Sequence, residues 1–262
     1  MQWHEAYDAA EQHNRAIVGG LSSGGSIGAA GGWLSGGGHS LISPNYGLGT
    51  PSPSNMVHSY SHDGFAGVDN VLEITIVTAD GNHVIANEYR NNDLFWALRG
   101  GGGGTWGVVT SATYKTHPST PFSGAYLLAN TTNADSTQNF ITEIIRLTPL
   151  LVEQGYGGYG TKTADLFQLF LMSPNVTAEE TQATFLPLFE FAASQPDLLL
   201  DNSTLLYQDF GEFYQIFDDS NGTMVGIPEE VASWLLPKDV VQTDKPEELA
   251  AELLKTSGFL YW

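Results

Sequence analysis

Apolar residues recur along this chain in two rhythms. Helical spacing appears first in Gln2–Asn14, where Trp3, Ala6, Tyr7 and Ala10 share a face. It returns in Ser136–Glu153 (Phe140, Ile144, Leu147, Leu151) and in Ala178–Ala193, where Pro187 is expected to interrupt the helix. Shorter helices are predicted over Asn92–Arg99, capped by Asn92 or Asp93, over Pro228–Leu236 and over Lys245–Thr256. Strand-like runs are Arg15–Val18, Val71–Thr78, His83–Ala86, Val108–Tyr114, Phe122–Ala129, Tyr156–Lys162 and Asp165–Met172. Asp80-Gly81 predicts a two-residue hairpin turn between the second and third of these. The stretch from Leu198 onward is weakly patterned, with aromatics between Tyr207 and Phe217. Beyond a boundary at His117–Pro121, helices against a small antiparallel sheet predict an α+β arrangement.

Neither rhythm fits Val18 to Gly49. Glycine there is too dense for a helix or an ordinary strand. Without Cβ atoms, such backbone can touch a ligand with its own N–H groups, and successive inward N–H groups make an anion-sized concavity. The stretch predicts a main-chain cradle for a large, phosphate-bearing cofactor. A flexible linker would not carry Ile27, Trp33, Leu34, Leu41, Ile42 and Tyr46 at intervals. A second run, Gly100 to Gly104, leads into Gly107. Its G-x-G-x-x-G spacing follows a helix and precedes a strand, the reverse of a Rossmann context. There is no P-loop signature. Thr50 to Gly67 is polar and without period, and Gly49 joins Val68 without a seam, so 50–67 reads as an insertion of the kind a retained intron leaves. A transcript lacking the segment would confirm this.

Charge narrows the partners. With 29 acidic residues against 9 basic ones, a net charge of -20 excludes a nucleic-acid binder and disfavours an anionic membrane surface. No run is long enough to span a bilayer. The absence of cysteine excludes disulfides and thiol chemistry. Four N-x-S/T triplets, at Asn130, Asn175, Asn202 and Asn221, lean toward the secretory route, although no signal peptide follows Met1. His4 and His13 read as surface residues and His39 as structural; Glu229/Glu230 and Glu247/Glu248 read as solvated faces.

Taken together, G-A-A-G-G-W-L-S-G-G-G-H-S (28–40), Y-G-L-G (46–49), V-D-N-V-L-E-I-T-I-V-T-A-D-G (68–81) and N-D-L-F-W-A-L-R-G-G-G-G-G-T-W-G-V-V (92–109) resemble the FAD-linked oxidoreductases of the berberine bridge enzyme-like group. The resemblance implies the second subdomain of a vanillyl-alcohol-oxidase-type FAD-binding domain over 1–118. An α+β substrate domain would follow over 119–262, with the whole truncated at both ends. It implies FAD as cofactor, a small alcohol, sugar or natural-product substrate, hydride transfer to flavin N5, and dioxygen as acceptor. Oligomeric state is left open. The cofactor-binding residues it implies are Gly20, Ser26, Gly28, Gly31, Gly32, Trp33, Gly36, Gly37, Gly38, Tyr46, Gly107 and Val108. The family's covalent histidine, carried by an R-x-x-G-G-H-type segment, and its catalytic base would lie outside 1–262, so no catalytic residue is assigned and His39 is not the flavin-linked histidine. Leu21–Ser26 lacks the cysteine that many relatives link to flavin, so no thioether can form. Trp33 stands where relatives often place a histidine close to the flavin ring, and Leu34 where they control oxygen access. Two other readings stay open: a catalytically inactive fragment acting as a binding or structural protein, and a secreted carbohydrate-binding α+β protein unrelated to flavin.

Overall fold

The computed structural model describes residues 1–21, 27–46, 67–131, 133–162, 166–215, 236–255 and 258–261. The expected insertion (except Gly67), the Pro228–Leu236 helix (except Leu236) and the Asn221 triplet lie outside the described residues. The chain forms two compact units, Met1–Thr120 with Gln208–Ile227, and Pro121–Tyr207 with Pro228–Trp262.

In the first unit, α1 (Trp3–Glu11) precedes β1 (Arg15–Ala16), which pairs antiparallel with β5 (His117–Pro118). Two four-residue helices, α2 (Gly32–Ser35) and α3 (Ser43–Tyr46), sit inside the glycine-dense stretch, where no helix was expected. Each is a single turn, too short for glycine's low propensity to prevent it. A 3-10 turn at Gly67–Asn70 leads into a three-stranded antiparallel sheet of order β3-β2-β4: β2 (Val71–Val77), β3 (His83–Asn87) and β4 (Val108–Tyr114). Ile74, Ile76 and Ala86 bury one face against Leu34, Val68, Val71, Phe95 and Leu98. Phe95 and Leu98 come from α4 (Asn92–Leu98).

Two local expectations are corrected here. The hairpin loop is three residues, Ala79–Gly81, closed by Thr78 N–H to Asn82 O at 3.0 Å. Only Gly81 takes positive φ (+82°), and Asp80 instead accepts from the Thr78 hydroxyl and the Asn82 amide. These hydrogen bonds, that from Thr78 foremost, hold the Asp80 carboxyl below its usual pKa. The N-cap of α4 is Asn91, one residue earlier than expected, in a left-handed conformation, with its amide donating to Ile85 O rather than to the helix.

The second unit is one antiparallel sheet of order β10-β7-β8-β6-β9. Its strands are β6 (Phe122–Asn130), β7 (Gly157–Lys162), β8 (Leu166–Pro174), β9 (Leu199–Tyr207) and β10 (Gly258–Tyr261). Helices α5 (Ala134–Glu153) and α6 (Ala178–Ser194) carry Phe140, Ile141, Ile144, Phe185 and Leu188 onto Ala125, Leu127, Ala129, Phe167, Leu169 and Leu171. Asn133 caps α5 and Thr177 caps α6 in a capping box with Glu180, each satisfying orphan N–H groups. Pro187 does not interrupt α6, which runs on to Ser194. One lost backbone bond is outweighed by the apolar face that continues through Leu188 and Ala192. α8 (Lys238–Val241) and α9 (Pro246–Leu253) close the unit, the latter burying Ala250.

The Gln208–Ile227 segment, expected in the second domain, groups with the first unit. Its helix α7 (Phe210–Tyr214) is the reason: Phe210 and Tyr214 pack on Tyr7 of α1, with ring centroids 5.1 and 4.5 Å away.

Candidate functional site

The glycine-dense stretch is fixed at its start by α1. Trp3 N–H donates to Ile27 O (2.9 Å), Ala29 N–H to Met1 O (3.1 Å), and the Tyr114 hydroxyl to Ala29 O (2.5 Å). Burial raises the Tyr114 pKa, so this hydroxyl stays a neutral donor. Gly31 then caps α2, and three successive α2 residues take three different surroundings. Leu34 is buried in the core of the three-stranded sheet; Trp33 packs among glycines; Gly32 is exposed. The expected oxygen-access position, Leu34, is thus a core side chain.

The second glycine run is brought onto the first. Gly102 N–H donates to Ser35 O at 2.9 Å, tying the 100–104 loop to the end of α2. A Cβ placed on Gly103 would lie 3.7 Å from Gly32 Cα, and one on Gly100 would lie 3.9 Å from Gly37 Cα. Two main-chain segments therefore approach each other closely, with Ser35 Cβ the side-chain atom beside Gly103 at 3.8 Å. Against Gly32, Gly37 and Gly104, a Cβ would meet no described atom within 4 Å. The result is a glycine-rich, partly exposed rim, open at Gly32, Gly37 and Gly104, with Ser35, Thr105 and Trp106 the side chains beside it. Among the described residues, no group of His, Asp or Glu could hold a metal ion.

The expected site residues divide on these contacts. Gly28, Gly31, Gly32, Gly36 and Gly37 all lie on the first loop; Gly32 and Gly37 face 100–104, whereas Cβ atoms on Gly28, Gly31 and Gly36 would meet backbone of their own loop. The second loop was visible as five consecutive glycines but yielded no site residue in the sequence reading; only its contact with Ser35 reveals the role. Gly20 and Gly38 abut the Trp33 ring, and Gly20 O also accepts from the Tyr7 hydroxyl at 2.9 Å. Ser26 lies outside the described residues. Tyr46 stacks on His117 (4.3 Å between centroids) and its hydroxyl lies 3.4 Å from Thr120 Oγ1. His117 Nε2 is 2.7 Å from Asn70 Oδ1; burial, with Lys115 and Arg15 adding, pushes its pKa down to about 4, so the ring is neutral at physiological pH. Gly107 sits at the start of β4, where a Cβ would run into Val77 O, and Val108 beside it is 70% exposed.

This geometry has room for a large planar group laid against backbone. No protein-family model matches the chain. It is 30% identical over 278 residues to the FAD-linked oxidoreductase ffsJ of Aspergillus flavipes, matching 100% of this chain and 40% of that relative. The chain therefore spans about two fifths of the length of that relative. Its fold superposes on the VAO-type flavoprotein MtVAO615 of Myceliophthora thermophila with a TM-score of 0.68 and 26% identity, over 85% of this chain and 37% of the other. Berberine bridge enzyme of Eschscholzia californica shares the fold at a TM-score of 0.57 and 20% identity, over 82% of this chain and 39% of the other.

Proposed function

Since this chain belongs to the FAD-linked oxidoreductases with the VAO-type fold, we propose that it carries the main-chain half of a flavin site in an enzyme oxidising a small alcohol, sugar or natural-product substrate, with dioxygen as electron acceptor. When bound, FAD supplies the redox step, taking a hydride from substrate and passing electrons on. The residues described here bind and orient. Gly32, Gly37 and Gly104 offer open backbone that a ring system can approach to van der Waals distance. Tyr46, Gly107 and Val108 extend the surface. The observation that carries the reading is the meeting of two glycine loops, with open space where Cβ atoms would stand at Gly32, Gly37 and Gly104.

We propose the secretory route as well. Asn130, Asn175 and Asn202 are all exposed, as glycan acceptors must be.

Equilibrium titration of the chain with FAD tests the site. By resemblance, other segments supply part of the support, so binding is expected to be weak but saturable, with little flavin surviving gel filtration. Gly32→Ala adds a methyl group to empty space, so its melting temperature should match wild type. Its FAD affinity should fall about tenfold, equivalent to ~1.4 kcal/mol. Equal affinities, or no binding to either protein, would remove the cradle.

A further inference from the structure

We propose that Trp33 is a positioning residue, a wedge that sets the spacing of the two glycine loops, rather than a contact to the flavin. The inference rests on the flavin reading for its consequence but not for its geometry. Three glycines from separate places in the sequence abut the indole. A Cβ on Gly38 would come within 2.7 Å of Cη2, and one on Gly20 within 3.0 Å of Cδ1 and Nε1; one on Gly67 would overlap Cη2 outright. Real Cβ contacts are almost never as close as those at Gly38 and Gly67, and the one at Gly20 would force the ring to give by a few tenths of an ångström; Gly38 also has positive φ (+76°), so Gly67 is the position that needs glycine because of the ring alone. Trp3 closes a further side, edge-on at 5.1 Å. The one polar atom of the indole is also spent inward: Nε1 donates to His39 O at 3.2 Å.

The wedge connects directly to the rim. Trp33 is flanked in sequence by Gly32, which faces Gly103, and its pocket wall Gly38 is flanked by Gly37, which faces Gly100. Gly67 N–H donates to Gly38 O (2.5 Å) and Val68 N–H to Gly37 O (3.0 Å), so the turn before β2 is held to the same strip of backbone. Glycine backbone forms part of the wall, beside Trp3 and the core of the three-stranded sheet, and backbone so tied cannot collapse into the space of a removed ring. Loss of the indole must therefore loosen the rim.

Two measurements on the full chain decide this, and neither needs bound flavin. The first is a thermal double-mutant cycle. Gly67 does not have positive φ, so Gly67→Ala tests overlap with the ring rather than backbone strain. It should lower the melting temperature by about 5–10 °C in the wild-type background. In the Trp33→Phe background, where the benzo ring is gone, the same change should cost less than half as much. Should Gly67→Ala alone fail to fold, recovery of a folded double variant gives the same answer. Additive losses would overturn the wedge. The second is hydrogen exchange in Trp33→Ala: peptides over 31–38 and 99–106 should both exchange at least tenfold faster. Loosening confined to 31–38 would overturn the coupling of the loops. For flavin-bound protein, Trp33→Phe should leave the visible absorption envelope and flavin quenching unchanged. A spectral change at unaltered melting temperature would make Trp33 a cofactor contact. Failure of wild type to bind FAD would sink the flavin reading while leaving the cycle and the exchange result to judge the wedge.

Discussion

The two units are held together by different means. In the second, α5 and α6 lay large side chains on a regular sheet, and a buried hydroxyl chain runs beneath them. The Tyr156 hydroxyl meets Thr181 Oγ1 at 2.9 Å, Thr181 donates to Ser123 Oγ at 2.8 Å, and Ser123 donates to Leu205 O at 3.0 Å. Thr181 spends its proton on Ser123, so Tyr156 must be the donor to Thr181. In the first unit, the candidate site is backbone against backbone, and one indole occupies the space between glycines. Side-chain packing tolerates volume-conserving exchange. A main-chain contact tolerates no added atom at its closest points. The first kind of region specifies a scaffold; the second, on the function proposed above, presents a surface to a flavin.

Substitutions that remove side chains should therefore separate the units, beginning with the largest effect. Phe140, 1% exposed and edge-on to Phe167, anchors the second core. Phe140→Ala should cost about 3–5 kcal/mol, read by denaturant unfolding, with hydrogen exchange in 28–38 unchanged; faster exchange there would erase the contrast. Thr181→Val removes the middle of the hydroxyl chain and leaves the Tyr156 hydroxyl with Thr184 alone. A loss of about 1–3 kcal/mol is expected, and a Tyr156→Phe background should shrink it.

His117 offers a pH probe confined to the first unit. Its folded pKa of about 4 lies below the ordinary 6.5, burial being the main cause. The unfolded chain thus binds the extra proton first as pH falls. The contribution is fully present above 6.5 and is lost progressively toward 4. Wild type should lose on the order of 1–2 kcal/mol across that window relative to His117→Gln, measured by urea midpoints at several pH values. Asp80, Glu180 and Asp197, whose pKa values are lowered by hydrogen bonds from Thr78, Thr177 and Ser136, lose their contributions only at lower pH.

The smallest effect is expected from deleting Thr50–Gly67. In that variant Gly49 precedes Val68, so the position against the Trp33 ring keeps a glycine. The melting temperature should move by no more than about 2–3 °C; a large fall would show the segment to be integral.

Much of the scaffold could be read from periodicity, because α1, α5, α6, β2, β6 and β8 each bury a repeating apolar face. β9 was missed for the same reason in reverse. It is an edge strand whose Asp201, Asn202, Ser203 and Thr204 are all exposed, so no alternation marks it. The α7 segment escaped because its aromatics pack on Tyr7, about two hundred residues away in sequence. At the site, glycine density pointed to a cradle, but density cannot say which glycine faces open space and which makes room for Trp33. That distinction is carried by distances alone: Gly32 and Gly37 are open, Gly20, Gly38 and Gly67 are filled.

The central claim, that these two loops form one surface for a flavin, is tested most directly by hydrogen exchange of the chain with and without saturating FAD. The account predicts added protection in peptides covering 28–38 and 100–108 together, with Phe122–Tyr207 unchanged. Protection absent from both loops, or present in only one of them, would contradict it.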